Sequence, residues 1–165
     1  MNKNVFTCMT WVVIIELNSE GEVMIGIIVT GHGTFAEGIQ SAIKLLAGVP
    51  EHFEIVDYMQ ADTTDDLADK LRQAAQHLSD CTDGIAIFAD ALDGAPYSEA
   101  LQLSAQMHRE CEIAVIGGCN VGMIMEMNIA RSYIRDLSSF VDMAVAEGRR
   151  MIAGRASLED GKDID

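Results

Sequence analysis

A histidine framed by glycines is the residue best placed to do chemistry. Thr30-Gly31-His32-Gly33-Thr34 follows an apolar run and leads into a helical pattern, so its imidazole is expected at a strand end, just ahead of a helix N-terminus. No neighbouring side chain buries the ring there, the backbone can approach a ligand closely, and orphan N–H groups with the helix dipole attract an anion. A neutral imidazole in that place is a competent nucleophile, and a phosphoryl group on it would be held by the same N–H groups. Asp90 ends a second apolar run, where a carboxylate needs a partner. If the two strands are neighbours, Asp90 faces His32 across a crevice, accepts a hydrogen bond from one ring nitrogen and leaves the other free to attack. Taken alone, Asp90 reads as a helix cap or loop hydrogen-bonding group; beside His32 it reads as an orienting carboxylate.

Two more glycine-bearing loops lead into helix N-termini: Asp90-Ala91-Leu92-Asp93-Gly94-Ala95-Pro96 and Gly118-Cys119-Asn120-Val121-Gly122. Other reactive types read blandly. His52 opens a strand, while His77 and His108 fall late in helices, where a cation near the C-terminal dipole is ordinary. Met123, Met125 and Met127 read as flexible packing. Arg131, Arg135, Arg149, Arg150 and Arg155 read as a solvated helix face. Cys8, Cys81, Cys111 and Cys119 show no metal-finger spacing and read as reduced, buried thiols.

These loops need a frame. From Met24 onward, short β-branched runs alternate with helical stretches, the pattern of a parallel sheet with crossover helices. Strands are expected over Met24–Thr30, His52–Tyr58, Gly84–Ala89 and Glu112–Gly117. The first, third and fourth are continuously apolar, as strands buried on both faces are, while the second alternates and belongs near an edge. Helices are expected over Phe35–Leu46, with Thr34 and Glu37 as a capping box and Gly48 and Pro50 as the stop, and over Thr64–Leu78. Three more are expected over Pro96–Arg109, Gly122–Tyr133 and Ser138–Ala153. The fold class is α/β: an open, mainly parallel, doubly wound sheet of flavodoxin-like order 2-1-3-4, with helices on both faces.

The 165 residues fit one domain. Residues 24–158 form it, residues 1–23 read as an extension with Met24 as the natural start, and residues 159–165 read as a disordered acidic tail. Val5 to Ile15 is apolar but too short to span a membrane. With 26 acidic against 11 basic residues and a net charge of −15, a phosphate backbone is repelled over most of the surface, so nucleic acid is not an expected partner.

Thr30-Gly31-His32-Gly33-Thr34-Phe35-Ala36-Glu37-Gly38, the later Asp90-x-x-x-Gly94-x-Pro96-Tyr97, and Asn120 resemble the enzyme IIA component of the mannose-family bacterial sugar phosphotransferase system. That group covers mannose, fructose, sorbose and N-acetylgalactosamine, and the resemblance runs from about Met24 to Leu158. It implies a phosphotransferase in which His32 accepts a phosphoryl group from phospho-HPr and passes it to a IIB component, with Asp90 orienting the ring. Gly33, Gly94, Ala95 and Asn120 are the phosphoryl-binding residues it implies. No metal and no cofactor is called for. The resemblance further implies a homodimer that exchanges a C-terminal segment, a cytoplasmic location reaching the inner face of the membrane, and an indirect link to a IIC/IID permease.

The loop after the third strand departs from the family, which usually reads Gly-Gly-Ser/Thr-Pro where this chain has Asp93-Gly94-Ala95-Pro96; Asn120-Val121-Gly122 also lacks a proline common there. Ala95 removes a hydroxyl that could bind phosphate, and Asp93 adds a negative charge. Other readings on the same fold are the phosphotransfer subunit of a dihydroxyacetone kinase system, a non-catalytic regulator, and a tetrapyrrole metal chelatase. The last needs more His or Glu ligands in the cleft, where His52, His77 and His108 are not expected. The sugar is expected to be an amino sugar or a hexose.

Overall fold

A computed structural model describes residues 24–154; the expected extension, the tail, and the exchanged C-terminal segment beyond that limit fall outside the described residues. Strand β1 spans Gly26–His32, helix α1 Phe35–Ala47, β2 Phe53–Tyr58, α2 Thr64–His77 and β3 Ile85–Ala89. Helix α3 follows over Ala95–Met107, then β4 over Ile113–Gly117, α4 over Val121–Ala130 and α5 over Leu137–Arg150. The four strands are all parallel, in the order β2-β1-β3-β4, so the expected fold class holds.

Alternation along the strands divides the core between two helical layers. Ile27 and Val29 of β1 and Ala86 and Phe88 of β3 pack with Ile43 of α1, Met127 of α4 and Phe140 of α5. Ile28, Ile85 and Ile87 face the other way, against Leu67 and Leu71 of α2 and Leu103 of α3. The rings of Phe88 and Phe140 meet edge to face, with centroids 6.3 Å apart, and both side chains are fully buried. Each such side chain contributes about 1.5–3 kcal/mol relative to an exposed one.

The structure corrects five expectations. Strand β1 starts later and runs two residues further than expected, because Gly31 and His32 pair with Asp57 and Tyr58 of β2. That leaves only Gly33 and Thr34 to turn the chain into α1, and the Thr34–Glu37 capping box does not form. Thr34 sits at φ −97° and ψ 32° with no side-chain cap bond, outside the extended geometry a capping residue uses. Such a box closes instead at α2, where Thr63 accepts from the Asp66 N–H and Asp66 accepts from the Thr63 N–H. Strand β4 is not buried on both faces; it is an edge strand with Ala114, Val115 and Gly117 half-buried. Arg131 does not lie on a solvated face but is 3% exposed. Helices α4 and α5 also end short of expectation, at Ala130 and Arg150.

Candidate functional site

Parallel pairing of β1 with β3 sets Thr30 opposite Ala89, so the residues just beyond, His32 and Asp90, emerge at the same carboxyl end of the sheet. One carboxylate oxygen of Asp90, Oδ2, accepts both the backbone N–H of His32 and its ring Nδ1, each at 2.8 Å. The imidazole is 51% exposed and the carboxylate 17%. Burial pushes the Asp90 carboxyl up, but the bonds from the His32 N–H and ring, the histidine's charge and the Ala91 N–H together hold it below the usual carboxylate value. The group is therefore an anion at neutral pH and can only accept, which puts a proton on Nδ1. In the neutral imidazole Nε2 then carries a lone pair.

Gly94 supplies the wall beside that lone pair. A Cβ built on it would lie 2.5 Å from Cε1 of His32 and 3.3 Å from Nε2. Its own φ of −99° is open to any residue, so the glycine is needed for contact with the ring rather than for backbone freedom. Gly94 is also the N-cap of α3, which no side chain caps and whose first turn contains Pro96. The backbone donors there, Ala95 foremost, are thus offered beside the imidazole. Gly33 is needed for its backbone: it turns at φ +60°, and its N–H is held by the carbonyl of Tyr58 at 2.9 Å.

Two residues at the end of β2 join the site without having been anticipated. The Tyr58 ring meets that of His32 edge-on, with centroids 5.8 Å apart and planes at 64°. Asp57 accepts the Ala36 N–H on Oδ1 at 2.8 Å, taking the place of the missing capping box at α1. Their signal was positional, since whatever ends β2 must stand beside Gly31 and His32 once β2 is the neighbour of β1.

Asn120 is engaged elsewhere. Its side-chain oxygen accepts the Met123 N–H at 2.9 Å, capping α4, and its amide donates to the Gly148 carbonyl at 3.0 Å. It ties α4 to α5 and makes no hydrogen bond to His32 or Asp90 among the described residues. Asp93 is exposed. His77 approaches Glu54 at 3.5 Å, and His108 bonds the Ala105 carbonyl; neither comes to the crevice. Cys81, Cys111 and Cys119 are free thiols, and burial pushes that of Cys119 up to about 12, which keeps it inert.

Comparison with known proteins falls on this same span. The mannose-specific EIIAB component of the phosphotransferase system from Escherichia coli K12 is 28% identical over 126 residues, which are 76% of this chain. The chain spans 38% of the length of that relative. The crystal structure of phosphotransferase system component EIIA from Streptococcus agalactiae superposes with a TM-score of 0.73 at 26% identity, covering 79% of this chain and 97% of that one. The mannose/sorbose-specific IIA subunit from Enterococcus faecalis shares the fold, with a TM-score of 0.68 at 20% identity over 82% of this chain and 97% of that one. The family described as EIIA-man, PTS system fructose IIA component, matches residues 26–145, from the first residue of β1 to near the end of α5, and the chain belongs to that family, the mannose-type IIA components of the sugar phosphotransferase system.

Proposed function

We propose that the chain is a phosphoryl carrier that takes phosphate from phospho-HPr onto Nε2 of His32 and passes it to a IIB component of a sugar importer. The observation that carries this reading is the double acceptance by Asp90 Oδ2, which fixes the proton on Nδ1 and leaves Nε2 as the nucleophile. In the transfer, the Nε2 lone pair forms a bond to phosphorus while the bond from phosphorus to the donor breaks, the donor keeping that electron pair. The product imidazole carries phosphorus on Nε2 and a proton on Nδ1, so it is cationic. Asp90 stabilises that charge as it develops. The phosphoryl oxygens meet the uncapped first turn of α3 at Gly94 and Ala95, and transfer onward reverses the steps.

The exposed position of Asp93 favours a working carrier over a silent regulator, because water screens its charge from an incoming phosphate. The open edge of β4 and a groove of about 430 Å³ beside it, lined in part by Leu92, Tyr97, Val115 and Val141, support a homodimer. None of the described helices is long and apolar enough to cross a membrane, and we place the carrier in the cytoplasm, meeting the IIC/IID permease only through IIB. An amino sugar or a hexose is the transported substrate in this reading.

The test is phosphorylation by phosphoenolpyruvate, enzyme I and HPr, read as intact mass. One acid-labile phosphate is expected on the native chain and none on His32→Ala. Undiminished labelling of that variant would overturn the assignment.

A further inference from the structure

At the opposite end of the sheet, a second histidine stands among groups that the phosphoryl chemistry does not use. His52 precedes β2, and Asp80 and Cys81 lie between α2 and β3. Nδ1 of His52 is 3.6 Å from Asp80 Oδ1, the Cys81 Sγ is 3.9 Å from the same oxygen, and the three ligand atoms all lie within 4.8 Å of one another. Bond lengths of about 2.0–2.3 Å to a tetrahedral zinc ion put neighbouring ligand atoms roughly 3.3–3.7 Å apart. The two separations to Asp80 Oδ1 exceed that spacing by only a few tenths of an ångström.

We propose that His52, Asp80 and Cys81 form a binding site for a borderline-soft divalent cation of the Zn²⁺ type, separate from the His32 crevice. One nitrogen, one oxygen and one sulfur are the mixed donor set that zinc accepts and that the hard cations Mg²⁺ and Ca²⁺ do not select. A neutral imidazole, a carboxylate and a thiolate sum to two negative charges, matching the ion. Binding converts the Cys81 thiol to the thiolate and releases one proton to solvent. Burial and the Asp80 charge raise the free thiol to about 11, with Arg131 acting in the opposite sense; the proton leaves when the cation takes its place.

The frame around the three is fixed. His52 stands at φ 45°, and its carbonyl accepts from Ile27 N–H at 3.0 Å and from Arg131 Nη1 at 2.9 Å. The Cys81 N–H bonds the Leu78 carbonyl, and the Cys81 carbonyl accepts from Gly84. Room for the thiol comes from Gly26, where a Cβ would stand 3.1 Å from Sγ. The Asp80 side chain is 66% exposed and that of His52 36%, which gives the ion its entry path and leaves the fourth position to water.

The experiment is a Co²⁺ titration of the reduced full chain, followed by thiolate-to-metal charge-transfer absorption and by displacement with Zn²⁺. One equivalent is expected to bind, with no band in Cys81→Ser and an undiminished band in Cys111→Ser. His52→Asn, which tolerates the left-handed backbone, and Asp80→Asn change exposed side chains and should keep the fold while weakening Co²⁺ at least tenfold. Zn²⁺ should raise the thermal midpoint of the native chain and not that of His52→Asn. No band, a band that survives Cys81→Ser, or an affinity indifferent to both His52 and Asp80 would each overturn the site. Phosphorylation at His32 is read in parallel and should be unchanged in His52→Asn and Asp80→Asn, so failure of one reading is distinguishable from failure of the other.

Discussion

At the carboxyl end of the sheet, Nδ1 of His32 lies 2.8 Å from a carboxylate that is 17% exposed, whereas at the amino end Nδ1 of His52 lies 3.6 Å from one that is 66% exposed. The first pair is a hydrogen bond and the second a loose contact. Around the first, the chain places glycines for separate reasons: Gly94 keeps a Cβ off the His32 ring, Gly31 makes room for Phe35, and Gly33 turns the chain at φ +60°. The amino end is tied instead by Arg131. Its guanidinium donates to the carbonyls of Ile25, Glu51 and His52 and to the side chain of Asn128. Burial lowers its pKa to about 10, so it remains charged at neutral pH. One end is thus built for access to its ring, the other for closure of its backbone, and the same two residue types acquire different chemistry from their surroundings.

The sharpest way to break this contrast is to neutralise each carboxylate in turn. Asp90→Asn is expected to slow phosphoryl transfer to His32 by about 10²–10⁴, and Asp80→Asn not at all, as read by rapid-quench labelling. Equal rates for the two variants would erase the distinction. The contrast also has a pH signature. Because the folded Asp90 pKa lies below its ordinary value, its stabilising contribution is complete above about pH 4 and is lost as pH falls through the lowered pKa. The stability difference between native chain and Asp90→Asn in urea should therefore vanish in strong acid.

Next in size is Arg131→Met. Removing a buried cation leaves several backbone carbonyls without their donor, and about 3 kcal/mol of stability should go with it. Urea unfolding measures the loss, while labelling of His32 per folded molecule should persist. A stable variant would show that closure at the amino end does not depend on the guanidinium.

Gly94→Ala tests access at the other end. The added methyl must push the His32 ring aside, so transfer should fall roughly tenfold, a change of about 1.4 kcal/mol in the barrier, with urea stability little changed. Unaltered kinetics would mean that the ring moves freely away from α3. The smallest effect expected is that of Asp57→Ala, which removes the acceptor for the Ala36 N–H and should lower stability by about 1 kcal/mol, as lost helix caps do.

Elements whose pattern is local were legible in the sequence. The apolar strands, the Gly48 stop at φ 87° and Pro96 in the first turn of α3 each depend on neighbouring residues alone. His32 and Asp90 were legible as a pair because both end apolar strands, and adjacency in a parallel sheet does the rest. What escaped depends on partners far along the chain. Thr34 and Glu37 have the spacing of a capping box, yet strand pairing with β2 overrides it and hands the task to Asp57. Arg131 looked like one of several surface arginines because nothing in its own neighbourhood announces three carbonyls waiting at the ends of β1 and β2. Asn120 likewise looked like a ligand group until α5 brought the Gly148 carbonyl to it.

The Arg131 clamp also sets an order of events. Its hydrogen-bond partners lie 106, 80 and 79 residues earlier in the chain, so none of these bonds exists until α4 has been made and docked. At about 5–20 residues per second of synthesis, the Ile25 carbonyl waits roughly 5–20 s for its donor. Contacts of such long reach are late to form. A bond absent from the transition state does little for the rate of folding and much against the rate of unfolding. The arginine thus acts as a latch across α4 and the starts of β1 and β2, closing only once α4 is in place, and its expected effect is on opening more than on folding.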